Sequence, residues 1–321
     1  MVAKKLISKY SCNAPVLFIV FNRPSTTLKV FEKIREAKPK KLYVAADGPR
    51  NNVFGENDVC DEVRRIATNV DWPCKVYTLF RKKNLGCGKA VSGAITWFFK
   101  KEKMGIILED DCLPDKSFFN FCSVLLKKYQ NDERIGMISG NNFQYNGGII
   151  VDESYFFSRY PHIWGWATWR RAWRSFDLKM TSWPLIKNNP LLFNKLFISS
   201  EERKCFSNWF DEIYAAPNIT WDVQWIFLLR YNGLLSISPN KNLVKNIGFS
   251  SFSTHTSETR KFILNTPLES ISLIKHPLHV VVNTVADDFT FKQWFKVGYV
   301  RLFAGYLPKS MFLFLKRMFG R

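Results

Sequence analysis

The chain has 321 residues, 46% of them hydrophobic and 16% aromatic, so it can bury a full core and is not a disordered protein. Lys and Arg number 47 against 27 Asp and Glu, a formal charge of +20 that favours an anionic partner: a phosphorylated ligand, anionic lipid or nucleic acid. The seven cysteines form no CxxC pair, which argues against a zinc site or a disulfide framework and fits a reducing, cytoplasmic setting.

Residues 1–5 are basic, but the apolar stretch that follows is short and broken by Lys9, Asn13 and Pro15, so no signal-peptide core is expected. No segment approaches the ~18 uninterrupted apolar residues of a membrane span, and a soluble or peripheral protein is expected. Residues 16–21, Val-Leu-Phe-Ile-Val-Phe, read as a strand buried in a parallel sheet; Asn22-Arg23-Pro24 ends it before a helix over 26–37. A strand follows at 41–46, closed by Asp47-Gly48-Pro49, then a helix over 58–69, a strand at 75–80 and a helix over 89–100. The next strand, Gly105-Ile-Ile-Leu, runs into three consecutive carboxylates, Glu109, Asp110 and Asp111. A helix over 117–129 and a strand over 134–140 complete the regular part. This alternation predicts a doubly wound α/β sheet with its ligand site at the carboxyl ends of the strands, where Arg23, Asp47, Arg81 and the triplet fall.

Three adjacent acids cannot all be desolvated without a partner, and hard oxygen ligands suit magnesium or manganese. Strand alternation would put Glu109 and Asp111 on one face and Asp110 on the other. The alternative is a solvated acidic turn. Asp47 likewise has two readings, a turn-forming residue or a ligand contact. Gly86-Cys-Gly88-Lys89 fits neither the Walker nor the dinucleotide pattern, yet its glycines let a backbone approach an anion at a helix start. Trp166, Trp169 and Trp173 are spaced as one helix face; Trp169 and Trp173 read as core in preference to a sugar platform, whereas Trp164-Gly165-Trp166 is less easily explained as packing, since its glycine lets a ligand or another backbone come close. Asp222, between Trp221 and Trp225, is either a helix-starting carboxylate or a partly desolvated general base. His276 and His279 are a poor metal pair, since Pro277 breaks the helix that would align them. His255, in a loop rich in hydroxyl residues, is a further candidate ligand.

Taken together, these positions resemble the GT-A fold glycosyltransferases that use nucleotide-diphospho-sugars. The likeness is to the branch that holds the Golgi α-mannoside β-1,2-N-acetylglucosaminyltransferase and bacterial relatives from surface-polysaccharide clusters, and it runs over about residues 15–250. It is carried by the segments 16–23, 44–48, 106–111 with Pro114 and Phe118-Phe119, 155–169, and Trp221-Asp222 with Trp225. The resemblance implies that Arg23 contacts the diphosphate or the nucleotide, that Asp47 accepts a hydrogen bond from the uracil, and that Glu109 and Asp110 lie against the ribose and donor sugar. Trp164, Gly165 and Trp166 would join the nucleotide-sugar site, Asp111 would bind Mn2+ or Mg2+ with His255 as a further candidate, and Asp222 would be the base of an inverting, single-displacement transfer. The partners so implied are a nucleotide-diphospho-sugar and a glycan or lipid-linked glycan acceptor, with no nucleic acid. Where the animal enzyme has a histidine before the triplet this chain has Gly93 or its neighbours, so donor-sugar identity does not carry over.

The expected organisation is a catalytic domain over 1–255, a connecting segment over 256–288 and a basic tail over 289–321. That tail has seven Lys or Arg, no acids and ten aromatics. Phe291, Trp294, Phe295, Tyr299, Leu302, Phe303 and Tyr306 form a helical stripe, which suits an anionic membrane surface on the cytoplasmic side or, alternatively, packs on the catalytic domain. Two rival functions remain: a sugar nucleotidyltransferase, whose glycine-rich N-terminal loop is replaced here by Phe21-Asn-Arg-Pro24, and a basic nucleic-acid-binding protein, for which no motif is present.

Overall fold

The computed structural model describes residues 12–144, 148–149, 151–248 and 266–295. The chain order is β1 (Val16–Val20), α1 (Pro24–Ala37), β2 (Lys41–Ala46), α2 (Glu56–Thr68), β3 (Lys75–Phe80), α3 (Cys87–Lys101), β4 (Met104–Glu109), β5 (Cys112–Pro114), α4 (Lys116–Lys128) and β6 (Ile135–Ser139). It continues through β7 (Tyr155–Ser158), β8 (Trp166–Trp169), α5 (Arg170–Trp173), α6 (Trp183–Lys187), α7 (Pro190–Lys195), α8 (Ser200–Ala215), α9 (Asp222–Tyr231), β9 (Leu235–Pro239), β10 (Val244–Asn246) and α10 (Thr284–Thr290). A π-helical turn, Phe291–Phe295, follows.

Eight strands form one sheet in the order β3-β2-β1-β4-β8-β6-β9-β7. The first four are mutually parallel, and β8 is antiparallel to both β4 and β6. Strand β6 therefore points the same way as β1 and β4, and the carboxyl ends of β1, β2, β3, β4 and β6 lie along one edge. This is an α/β fold: a mostly parallel central sheet with helices on its faces. A second, two-stranded sheet pairs β5 with β10, Cys112 opposite Asn246.

The sequence accounts for these elements locally. All five residues of β1 are buried, as a strand covered on both faces requires. Pro24 opens α1, which buries Val30, Phe31, Ile34 and Ala37 and closes at Lys38 in the left-handed conformation. Asp115 caps α4 through the Ser117 amide. Helices α2 and α3 each begin two residues before the position expected from periodicity.

Three expectations are corrected. The 166–173 stretch is not one helix: Trp166 to Trp169 is a buried strand, and only the last four residues make a helical turn, because β-type pairing with β4 and β6 outweighs the helical spacing of the tryptophans. The 256–288 segment is more than a connector, since in its described part Ile271 joins the core, its amide meets Ser117 Oγ at 3.0 Å, and Val282 bridges to Phe157. The start of the tail is core as well. Phe291, Trp294 and Phe295 are 6%, 3% and 1% exposed, with Trp294 stacked on Phe143 at 3.7 Å, so the apolar stripe here faces protein. Residues 296–321, which carry the rest of that stripe, lie outside the described residues, as does His255. Among the described residues no helix is long and apolar enough to cross a membrane.

Candidate active site

The edge formed by the carboxyl ends of the parallel strands gathers most of the residues singled out from the sequence. Strand β4 ends at Glu109, so Asp110 and Asp111 lie in a turn and the alternation expected for the triplet stops there. Both aspartates converge on the turn after β1. Arg23 Nη1 lies 3.2 Å from Asp110 Oδ1 and 2.6 Å from Asp111 Oδ2, and the Phe21 amide donates to Asp110 Oδ2 at 3.1 Å. From the other side the Ile247 amide donates to the Asp111 carbonyl at 2.8 Å. Gly248 abuts the same residue so closely that a Cβ there would sit 2.4 Å from Asp111 Oδ2.

Burial sets the electrostatics. It pushes Glu109 up to about 8, with Asp111 and Asp110 adding repulsion against the relief given by Arg23. It also lifts Asp110 to about 7, with Arg23 opposing. Asp222, distant in sequence, acts on Glu109 as a further negative neighbour. The fold thus brings four carboxylates and one guanidinium close enough to act on one another electrostatically. Cys87, the exposed first residue of α3, lies near enough for the Glu109 and Asp222 charges to act on its thiol.

Asp222 is the first residue of α9 and is buried at 3% exposure. Its Oδ1 accepts from the Val223 amide at 2.9 Å and from the Thr220 hydroxyl. Asp222 starts a helix, and its carboxylate is desolvated near the acidic cluster. The preceding loop is held by α3, where the Gly88 amide donates to the Asn218 carbonyl at 3.3 Å, and by Gln224 Nε2, 2.9 Å from the carbonyls of Pro217 and Thr220.

Asp47 is committed to the protein. Its two oxygens accept from the amides of Gly48, Leu85 and Gly86 at 2.9–3.1 Å, which pins the loop between β3 and α3 to the end of β2. Those bonds occupy both oxygens, so in this conformation Asp47 acts as the turn-forming residue. Trp166 is 1% exposed and stacked on Trp221 at 5.5 Å, so it supports the site from within the core and offers no face to a sugar. Trp164 is half-buried, with its amide on Asn141 Oδ1. Gly165 has φ +62°, and its carbonyl receives the Gly140 amide at 2.7 Å; a Cβ there would lie 2.7 Å from a Val244 methyl, so the close approach that this glycine permits is made by the Val244 side chain. His276 serves structure, with Nδ1 2.9 Å from the Tyr155 hydroxyl.

Sequence reasoning missed Cys87, Thr220, Gly248 and the Asn22–Arg50–Glu56 cluster, in which Glu56 binds Arg50 and Asn22 beside the β1 turn. Of these only the Gly86-Cys-Gly88 turn carried a signal. Among the described residues no three His, Cys, Asp or Glu side chains are grouped to hold a metal ion.

No protein-family model matches the sequence, and no curated protein matches it. Among solved structures the chain is similar to HddC from Yersinia pseudotuberculosis, with 10% identity over 49% of this chain and 77% of that one and a TM-score of 0.31. It is also similar to mouse xyloside xylosyltransferase 1 in its apo form, with 11% identity over 69% of this chain, 83% of that one and a TM-score of 0.31. Overlap at this level says nothing about substrate.

Proposed function

We propose that the protein is a glycosyltransferase that moves a sugar from a nucleotide-diphosphate donor, a UDP-sugar, to a hydroxyl of a glycan or lipid-linked glycan acceptor. The observation that carries this reading is the convergence of Arg23, the 109–111 carboxylates and Asp222 at the carboxyl edge of a parallel sheet. Arg23 is partly exposed and can meet a diphosphate. Asp222, desolvated and oriented by Thr220 and the Val223 amide, is suited to take a proton from the acceptor hydroxyl as it attacks, which gives inversion by single displacement.

The donor set fits a hard divalent cation in a limited way. Asp111 offers one carboxylate, and magnesium or manganese is commonly held by one or two carboxylates together with substrate phosphates. When bound, such an ion would supply positive charge to the departing diphosphate. A cation there would add to the single Arg23 guanidinium that faces Asp110 and Asp111.

The test is calorimetry of UDP with and without manganese, on the parent and on Asp111→Asn, beside a screen for UDP release from a panel of UDP-sugars. Manganese-dependent UDP binding that weakens in Asp111→Asn is expected. Metal dependence that is equal in the two proteins would remove Asp111 from the site, and failure to bind any nucleoside diphosphate would overturn the reading.

A further inference from the structure

Helices α6 and α7 form an outer layer whose inner side is well packed. Trp183 and Ile186 of α6 enter an aromatic cluster with Leu196, Phe197 and Phe210, and the Trp183 ring lies 6.1 Å from Phe193 of α7, which ties the two helices together. Their outer side is uncovered: Leu185 is 75% exposed, Leu191 77%, Ile198 58% and Leu192 37%. Helix α7 buries none of its residues. It is set by Pro190 at its start and by Asn189 Oδ1 on the amides of Leu191 and Leu192, so its cap fixes it with leucines turned outward.

Charge narrows what covers this face. Residues 179–204 contain five Lys or Arg and two acids, one of which, Glu202, is buried against Arg230. Lys179, Lys195 and Lys204 are exposed, and Lys195 stands three and four residues after Leu192 and Leu191 on α7, hence on the same side of that helix. The cores of protein interfaces are depleted of lysine, whereas segments lying in a membrane interface combine leucine with lysine. The chain also leaves the described structure at Phe295, which shares an aromatic cluster with Trp183 and Ile186 and whose ring lies 5.3 Å from Phe206 and 5.9 Å from Trp209 of α8. The sequence beyond it has six Lys or Arg and no acid.

We propose that the outer face of α6 and α7 docks on an anionic membrane, with Leu185, Leu191, Leu192 and Ile198 at the acyl boundary and the three lysines at the headgroups. The proposal does not depend on the donor chemistry above. The experiment is flotation of the full chain with phosphatidylcholine vesicles, with and without phosphatidylglycerol, at two salt concentrations. The parent should bind the anionic vesicles and release with salt. The double variant Leu191→Ser, Leu192→Ser, checked for parent-like circular dichroism, should bind about tenfold more weakly. A second variant, Lys195→Glu with Lys204→Glu, leaves the apolar residues in place and should lose both affinity and salt sensitivity. Undiminished binding by either variant overturns the proposal, as does a parent that ignores vesicles but self-associates through these leucines in sedimentation.

Discussion

The Nη1 of Arg23 sits 2.6 Å from Oδ2 of Asp111, which joins the turn after β1 and the turn after β4 into one electrostatic unit. The same nitrogen reaches Asp110 at 3.2 Å, so a single half-exposed cation serves two buried carboxylates. Replacing it should be costly. Arg23→Ala leaves both acids without that partner, and because the guanidinium is 38% exposed the loss is discounted for solvent screening to about 1–2 kcal/mol. Thermal unfolding should register a fall of a few degrees, with manganese raising the midpoint more in the variant than in the parent. Equal manganese effects in the two proteins would mean that the ion does not visit this cluster.

The second prediction concerns Asp222. Asp222→Asn keeps an oxygen for the Val223 amide and the Thr220 hydroxyl, so α9 should start as before. Transfer should nonetheless fall by about 10²–10⁴, the usual contribution of a general base, with UDP affinity unchanged. Transfer near the parent rate would exclude the base role, and a parallel loss of UDP binding would assign Asp222 to helix initiation alone.

Local patterning made the first half of the fold legible. Strands β1 to β4 are continuous apolar runs or clean alternations bounded by Pro, Gly and Asp, and each helix between them carries one apolar face, so elements and carboxyl edge both followed from the chain. What failed depends on partners distant in sequence. The tryptophans at 166, 169 and 173 fit a helix until β4 and β6 claim the first two as strand. The 291–295 stripe is equally apolar whether it faces lipid or Phe143, and only the fold decides. Asp47 was legible as a strand-end acid, but its bonds to the 85–86 amides arise across two strands.

A third prediction follows from Glu56. The Arg50 guanidinium bonded to it, helped by the Arg50 amide and Asn22, holds its carboxyl down to about 2 from an ordinary 4.5. The folded value is the lower one, so the stabilisation is complete above the unfolded value and is lost as pH falls from about 4.5 through about 2. Arg50 is 49% exposed, which limits the contribution to about 1 kcal/mol after screening. Urea melts of the parent and Glu56→Gln should differ at pH 6 and converge toward pH 3. A constant difference across that range would show that Glu56 contributes through packing, not charge.

The last prediction tests how Asp222 is aimed. Gly88 sits in the first turn of α3 against the loop that leads into α9; a Cβ there would lie 2.6 Å from the Asn218 carbonyl oxygen and 2.8 Å from that of Thr220. Both contacts are backbone, so neither can swing aside like a side chain. Gln224 holds the same loop from behind, bonded to the carbonyls of Pro217 and Thr220, so the loop cannot retreat without breaking those bonds. The displacement should therefore reach the Thr220 hydroxyl and, through it, the Asp222 carboxylate. Misplacing a reacting group by about 1 Å can cost about 10²-fold, so Gly88→Ala should lower kcat 10- to 100-fold while changing UDP affinity by less than about threefold. Gly88→Ala with parent kcat would mean that the loop is set elsewhere. A fall in UDP affinity as large as that in kcat would place the start of α3 on the donor itself.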